Sequence, residues 1–299
     1  MRVVFFGTPY FAKNILEILL PHFEIVALVT QEDKPFGRKQ IIKYPKTKEF
    51  ILESAPQIPI FQPKKVSEIT PHLRAMKPDI LLVVAFGRIL PREITDEFYC
   101  VNIHGSLLPK YRGASPIHEM ILNESEFLGV TLIKMNERLD SGEILGFSLI
   151  KNRHFDIEQS LEILSKMGAK LALKILKNLK SISPLKQSDA DSSECKKLSK
   201  ADGVIAFKNA KEVFLKSLAY KIYPQIMLES GIKLFGITIN ELDSTNNRGE
   251  ILSIGKSCVI IGCESGSIAV ESLQKTGKNK VNALDFINGM RLKKGDILR

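Results

Sequence analysis

Cysteine is scarce: the 299 residues hold 4, at positions 100, 195, 258 and 263, with no CxxC pair and no histidine cluster beside them. A zinc site needs about four ligands at short spacings, so no metal is expected. Cys258 and Cys263 are near enough to meet across a hairpin, but in a cytosolic protein they stay reduced. Long apolar runs are missing as well. The longest, Ile80 to Phe86, falls far short of the roughly 20 residues that cross a bilayer, so no membrane partner is expected. No leader is expected either, because Met1 is followed at once by the apolar stretch Val3 to Phe6; the expected compartment is cytoplasmic. The turn at Gly7 lacks the further glycines of GxGxxG, which excludes the dinucleotide fingerprint and argues against a nucleotide-binding oxidoreductase. Acidic residues are in deficit, 33 against 43 Lys and Arg, a net charge of +10 that suits a polyanionic partner. No internal repeat is visible.

What is present divides in two. The first half alternates strand and helix patterns. Arg2 to Phe6, Glu24 to Thr30, Asp79 to Ala85 and Tyr99 to His104 are near-continuous aliphatic runs. Tyr10 to Leu20, Thr47 to Ser54 and Lys64 to Met76 have helical spacing. Buried strands separated by helices predict a parallel sheet covered on both faces, an α/β doubly wound fold. Leu128 to Met135 and Ile144 to Lys151 extend the sheet, and the amphipathic stretch Asp156 to Leu179 closes the domain. Residues 186–200 are rich in Ser, Asp and Lys and are predicted to link a catalytic domain at 1–185 to a second domain at 201–299. A surface loop within one domain is the alternative for that stretch. After Asp202 to Tyr223, a short strand and a helix, come short strands at Ile226 to Leu228, Lys233 to Leu242, Glu250 to Gly255, Ser257 to Cys263 and Gly266 to Leu273. Their regular turns predict a small β-barrel or sandwich. Residues 200–299 carry 15 Lys and Arg against 10 Asp and Glu.

The stretch YCVNIHGSLLPKYRGASP, 99–116, holds the chemistry. On a strand, Asn102 and His104 point to one face. An amide that donates without charge suits the oxyanion of an acyl transfer, and an imidazole moves protons near neutral pH. Asp140, in a Leu-Asp-Ser-Gly turn, can orient such a histidine. Alone, His104 is more often structural than catalytic, and Asp140 is most often a turn former.

Together these segments resemble the folate-dependent formyltransferases. That family is built around N-x-H-x-SLLP and a later LD-[ST]-G, which fall here on Asn102, His104, Ser106 to Pro109 and Leu139 to Gly142. FFGTPYFA, 5–12, resembles its opening strand and turn, and VVAFGRILP, 83–91, its pterin loop. The resemblance covers residues 1–180 and implies a Rossmann variant with a mostly parallel sheet. It implies 10-formyltetrahydrofolate as co-substrate, with Asn102 stabilising the oxyanion, His104 handling protons and Asp140 holding His104. The folate would lie against Phe86, Gly87, Arg88, Ile89 and Leu90 and along Ser106, Leu107, Leu108 and Pro109.

The stretch Thr30 to Lys48 resembles the basic insertion of the tRNA-specific members, implying initiator Met-tRNA as partner, contacted by Arg38, Lys39 and Lys43. A solvated charged loop is the plainer reading of that stretch taken alone. The carboxyl-terminal domain resembles their basic, OB-like barrel, though AYKIYPQIM, 219–227, lacks the tryptophan common before the proline, and the chain has no Trp at all. The chain is expected to act as a monomer. A sugar-nucleotide formyltransferase shares fold and donor and is the alternative that the Thr30 to Lys48 loop disfavours. The purine-pathway relatives lack the second domain, and a non-catalytic RNA binder would not explain Asn102, His104 and Asp140 together.

Overall fold

The computed structural model describes residues 1–36 and 40–299 and resolves into two compact units. The first comprises Met1–Ile117, Glu126–Lys151 and Gln159–Lys196, the second His118–Ser125, Asn152–Glu158 and Lys197–Arg299.

The first unit's strands are β1 (Arg2–Gly7), β2 (Glu24–Val29), β3 (Lys34–Phe36), β4 (Ile41–Lys43), β5 (Ile60–Phe61), β6 (Ile80–Val84), β7 (Cys100–His104), β8 (Arg112–Gly113), β9 (Phe127–Lys134), β10 (Glu143–Lys151) and β11 (Glu194–Cys195). Seven form one sheet in the order β10-β9-β7-β6-β1-β2-β5. The pairs from β7 to β5 are parallel, while β9 runs antiparallel to both β7 and β10. β6 and β7 are buried at every residue, as strands covered on both faces must be. Helices α1 (Tyr10–Leu19), α2 (Lys46–Ser54), α3 (Thr70–Met76) and α4 (Arg92–Glu97) belong here; α5 (Pro116–Leu122) and α6 (Ile157–Lys177) contribute residues to both units. α1 buries Phe11, Ile15, Leu16 and Leu19, the stripe its spacing predicts. On α6, Gly168 faces Ile103, Ile15 and Val130, where a Cβ would lie 3.1 Å from the first, so helix and sheet sit close.

Four local readings differ from the structure, among them the short strand expected after Asp202, where there is a 3₁₀ turn, Lys200–Gly203, with isolated bridges at Val204 and Asn209. The helix expected over 64–76 is a single-turn 3₁₀ segment, Val66–Ile69, followed by α3, because Pro71 starts a new helix at its first turn. Ile226 to Leu228 is no strand; Met227 forms isolated bridges to Val204 and Lys233. The stretch 186–196, read as tether, is built into the first unit: β11 pairs in parallel with β8, Glu194 opposite Arg112 and Cys195 opposite Gly113. Its polar composition suits a segment fastened by hydrogen bonds instead of apolar burial.

The second unit holds α7 (Ala210–Ala219), β12 (Lys233–Glu241), β13 (Ile251–Ile254), β14 (Val259–Gly262), β15 (Ser267–Gln274), β16 (Val281–Asn282) and α8 (Ala283–Gly289). Its sheet is antiparallel throughout, in the order β12-β15-β14-β13, with β16 continuing the β15 edge beyond β14. Val259, Ile261, Ile268, Val270 and Leu273 are wholly buried, and the less buried Ile260, Ala269 and Glu271 alternate with them. Asn209 and Asn282 cap α7 and α8, accepting from the N–H of Glu212 and Asp285.

His118 of this unit stacks obliquely near Tyr220, ring centroids 6.5 Å apart. Burial pushes its imidazole down to about 4. The folded state thus resists a proton that the unfolded chain takes up near pH 6.5, and stability is lost as pH falls through that window. Between pH 7 and pH 5 the loss is about 2 kcal/mol by linkage. Denaturant melts at the two pH values should show it in the wild type, and His118→Gln should remove most of the difference.

Candidate active site

The site is assembled by strand register. β6 and β7 run parallel with Val83 opposite Asn102, so His104 lies just past the carboxyl end of β6. That edge is where ligands bind in open α/β sheets. Asn102 and His104 are both buried, two residues apart on one face.

Asp140 arrives from the turn between β9 and β10. Its backbone is left-handed, φ +49°, a conformation aspartate tolerates better than most residues. Gly142 completes the turn because a Cβ there would sit 1.8 Å from the Lys134 carbonyl oxygen. The turn carries the carboxylate inward. Asn102 Nδ2 donates to Asp140 Oδ1 at 3.1 Å, the Gly113 N–H donates to Oδ2 at 2.9 Å, and His104 Nδ1 lies 3.5 Å from Oδ2. On the other side of the ring His104 Nε2 is 2.8 Å from the Tyr111 carbonyl oxygen. That carbonyl only accepts, so Nε2 carries the hydrogen. The carboxylate also only accepts, which turns the Asn102 amide nitrogen toward Asp140 and leaves its second N–H to donate elsewhere. Gly113 is fixed by φ +118° and by the Cys195 carbonyl oxygen, 2.2 Å from where a Cβ would be.

Ser106 to Pro109 form a fastened turn. The Ser106 hydroxyl donates to the Lys110 carbonyl at 2.7 Å. Thr131 on β9 donates to the Ser106 carbonyl at 2.7 Å and accepts from the Leu108 N–H at 3.1 Å. Leu107 lies over Gly129, and Leu108 packs with Ile133 and Ile144. The loop Phe86 to Leu90 follows β6. Phe86 is a core side chain, edge-on to Phe6 at 5.3 Å, and its carbonyl accepts from Gln31 at 2.9 Å and Thr8 at 3.1 Å. Leu90 is buried, Ile89 is exposed, and Gly87 has φ +79°. Arg88 reaches the Lys64 carbonyl at 2.9 Å and Glu32 at 3.3 Å.

Lys43 ends β4, where it pairs with Lys34 of β3. Arg38 and Lys39 lie outside the described residues. Two lysines of the same stretch are tied down: Lys48 binds Asp33 at 2.7 Å and Gln62 at 2.8 Å, and Lys46 binds Glu49. Cys100, two residues before Asn102, is no nucleophile, since burial raises its thiol to about 12. Sequence reading missed Thr131, Gln187, the Tyr111 carbonyl and the Gly113 N–H. Backbone groups leave no trace in residue type, and Thr131 and Gln187 sit in no recognisable pattern.

An amide donor, an imidazole and a carboxylate gathered on the carboxyl edge of a doubly wound sheet are the equipment for acyl transfer. Formyl transferase profiles match both parts of the sequence: "Formyl transferase" over residues 1–177 and "Formyl transferase, C-terminal domain" over residues 197–291. The chain belongs to the formyl transferase family. It is 48% identical to the methionyl-tRNA formyltransferase of Helicobacter acinonychis, with 100% of each chain covered. It is 44% identical to the methionyl-tRNA formyltransferase of Nitratiruptor sp., with 99% of each covered. Among solved structures, the sugar 3N-formyl transferase WlaRD superposes with a TM-score of 0.66 at 22% identity, over 93% of this chain and 99% of that one, a likeness of fold.

Proposed function

We propose that the chain transfers the formyl group of 10-formyltetrahydrofolate to the α-amine of methionine on initiator tRNA. The observation that carries the site is the convergence of Asn102 and His104 on one buried carboxylate. The acceptor rests on full-length identity to methionyl-tRNA formyltransferases and on the chain's net charge of +10. The amine attacks the formyl carbon, the carbonyl oxygen gains charge, and collapse breaks the bond to the folate nitrogen. The amine gives one proton to solvent, the folate nitrogen takes one from His104, and solvent returns a proton to the ring, so the balance closes. The second N–H of Asn102 meets the developing oxyanion, a contribution worth roughly 3–4 kcal/mol at one donor in other acyl transfers. His104 delivers the Nε2 proton, exchanging the Tyr111 carbonyl for the leaving nitrogen, since such hydrogen bonds realign when substrate binds. Asp140 holds both partners.

The folate lies against the backbone of Phe86 to Leu90 and the Ser106 to Pro109 turn. Arg38, Lys39 and Lys43 meet tRNA phosphates, and the protein works as a cytoplasmic monomer. No helix among the described residues is long and apolar enough to cross a membrane.

The deciding assay offers 10-formyltetrahydrofolate with charged initiator tRNA, charged elongator tRNA or an amino-sugar nucleotide. Formylation confined to initiator Met-tRNA is expected; formylation of the sugar would replace the acceptor and leave the three residues in place. Arg38→Ala should raise the KM for tRNA roughly tenfold, the loss of one good phosphate or base contact, with the folate KM unchanged. Equal loss on both substrates would assign the loop a general structural role.

A further inference from the structure

We infer that Gln187 is a positioning residue for Asp140, reaching it from the Ser- and Asp-rich segment that follows α6. Between Ser183 and Ala190 every residue is exposed except Gln187. Its amide nitrogen donates to two carbonyls of the aspartate turn, Asp140 O at 2.8 Å and Gly142 O at 2.7 Å. Its amide oxygen accepts twice from Arg112, from Nε at 3.1 Å and from the second terminal nitrogen at 2.9 Å. Arg112 is itself buried, and its remaining terminal nitrogen binds Asp189 at 2.8 Å. Arg112 holds the Asp189 carboxyl below its ordinary range.

The chemistry of the four partners fixes the orientation of the amide. A guanidinium only donates and a carbonyl only accepts, so the oxygen must face Arg112 and the nitrogen must face the turn. Glutamine alone meets this set. Glutamate would aim an oxygen at two carbonyl oxygens, and methionine would fill the space and donate nothing. Of the two carbonyls clamped by Gln187, one is Asp140's own and the other lies two residues on, so the clamp holds the turn at a residue whose φ of +49° is a strained setting that needs outside support. Releasing the clamp lets the turn relax, and the carboxylate moves away from Asn102 Nδ2 and the Gly113 N–H. The same arginine belongs to β8, whose next residue supplies that Gly113 N–H, so Arg112 ties the two sides of the carboxylate's cradle together.

This inference rests on the reading of Asp140 as part of the active site. It is tested by a double-mutant cycle in the formylation assay, using Gln187→Met, Asp140→Asn and the double variant, with thermal melts of each. Gln187→Met is expected to lower kcat roughly 10- to 100-fold, the cost of a misplacement on the scale of 1 Å, with the folate KM within about threefold. In the Asp140→Asn background the same change should cost less than about twofold, because the group it positions is already gone. Wild-type kcat in folded Gln187→Met, a KM change with kcat intact, or an equal loss in both backgrounds would overturn the inference. If Gln187→Met does not fold, Gln187→Asn, which keeps the amide but is one methylene short, takes its place in the cycle under the same criteria. Wild-type turnover by Asp140→Asn would instead overturn the site reading itself, and the two failures are distinct.

Discussion

His104→Ala should lose formyl transfer by about 10²- to 10⁴-fold in kcat, the span typical for removing a positioned acid or base. The imidazole bridges the Asp140 carboxylate and the Tyr111 carbonyl, and in the proposed mechanism its Nε2 hydrogen is the one released to the leaving nitrogen. The variant should remain folded. Its cost is one buried hydrogen bond and an under-satisfied Tyr111 carbonyl, about 1–3 kcal/mol, and Cys195 Sγ lies 3.5 Å from the same oxygen as a weak substitute donor. Single-turnover formylation at saturating folate, with a thermal melt alongside, measures both. A folded variant that turns over at the wild-type rate would remove His104 from the mechanism.

Asp140→Asn, nearly the same size and shape, should be comparably damaging for a different reason. The carboxylate accepts from two donors on two oxygens. A carboxamide has a single acceptor oxygen, so its NH₂ must face either Gly113 N–H or Asn102 Nδ2. The first choice leaves two donors opposed. The second turns the Asn102 amide around and removes its N–H from the oxyanion. Either way the negative charge beside His104 is gone. A fall of at least about 10²-fold in kcat is expected, in line with loss of an oxyanion donor or of the proton carrier's partner. Double-mutant analysis with Asn102→Ala should show the two losses to be strongly non-additive, because they disable one unit. Additive losses would mean that the two residues act separately.

Much of the fold was legible because it is written in apolar periodicity. β1, β2, β6 and β7 are aliphatic runs that nothing but a doubly covered sheet accommodates, and α6 repeats its apolar stripe over 21 residues. The short pieces were not legible. β5, β8, β11 and β16 are two residues each, too brief for any period to register. For the site, the shared face of Asn102 and His104 was readable from strand spacing, while a catalytic part for them and for Asp140 was suggested only by the family motif. The Gly113 N–H that meets Asp140 and the Tyr111 carbonyl that meets His104 are backbone atoms of positive-φ residues, φ +118° and φ +63°. Such positions depend on tertiary constraint, and residue type scarcely reports them. The polar segment after α6 misleads for the same reason: its anchoring is by hydrogen bonds to carbonyls and a guanidinium, which leave composition looking like that of a tether.

The β8–β11 pairing bears on how such proteins are recombined. The two family profiles stop at 177 and resume at 197. The intervening residues, outside both, supply the parallel strand beside Gly113 and the amide that clamps Asp140. A genetic exchange that cut at the end of the first matched region would keep Asn102, His104 and Asp140 but lose the segment that hydrogen-bonds the Asp140 turn. The first unit runs on to Lys196, and a shuffled or trimmed descendant that keeps residues 178–196 with it retains that clamp.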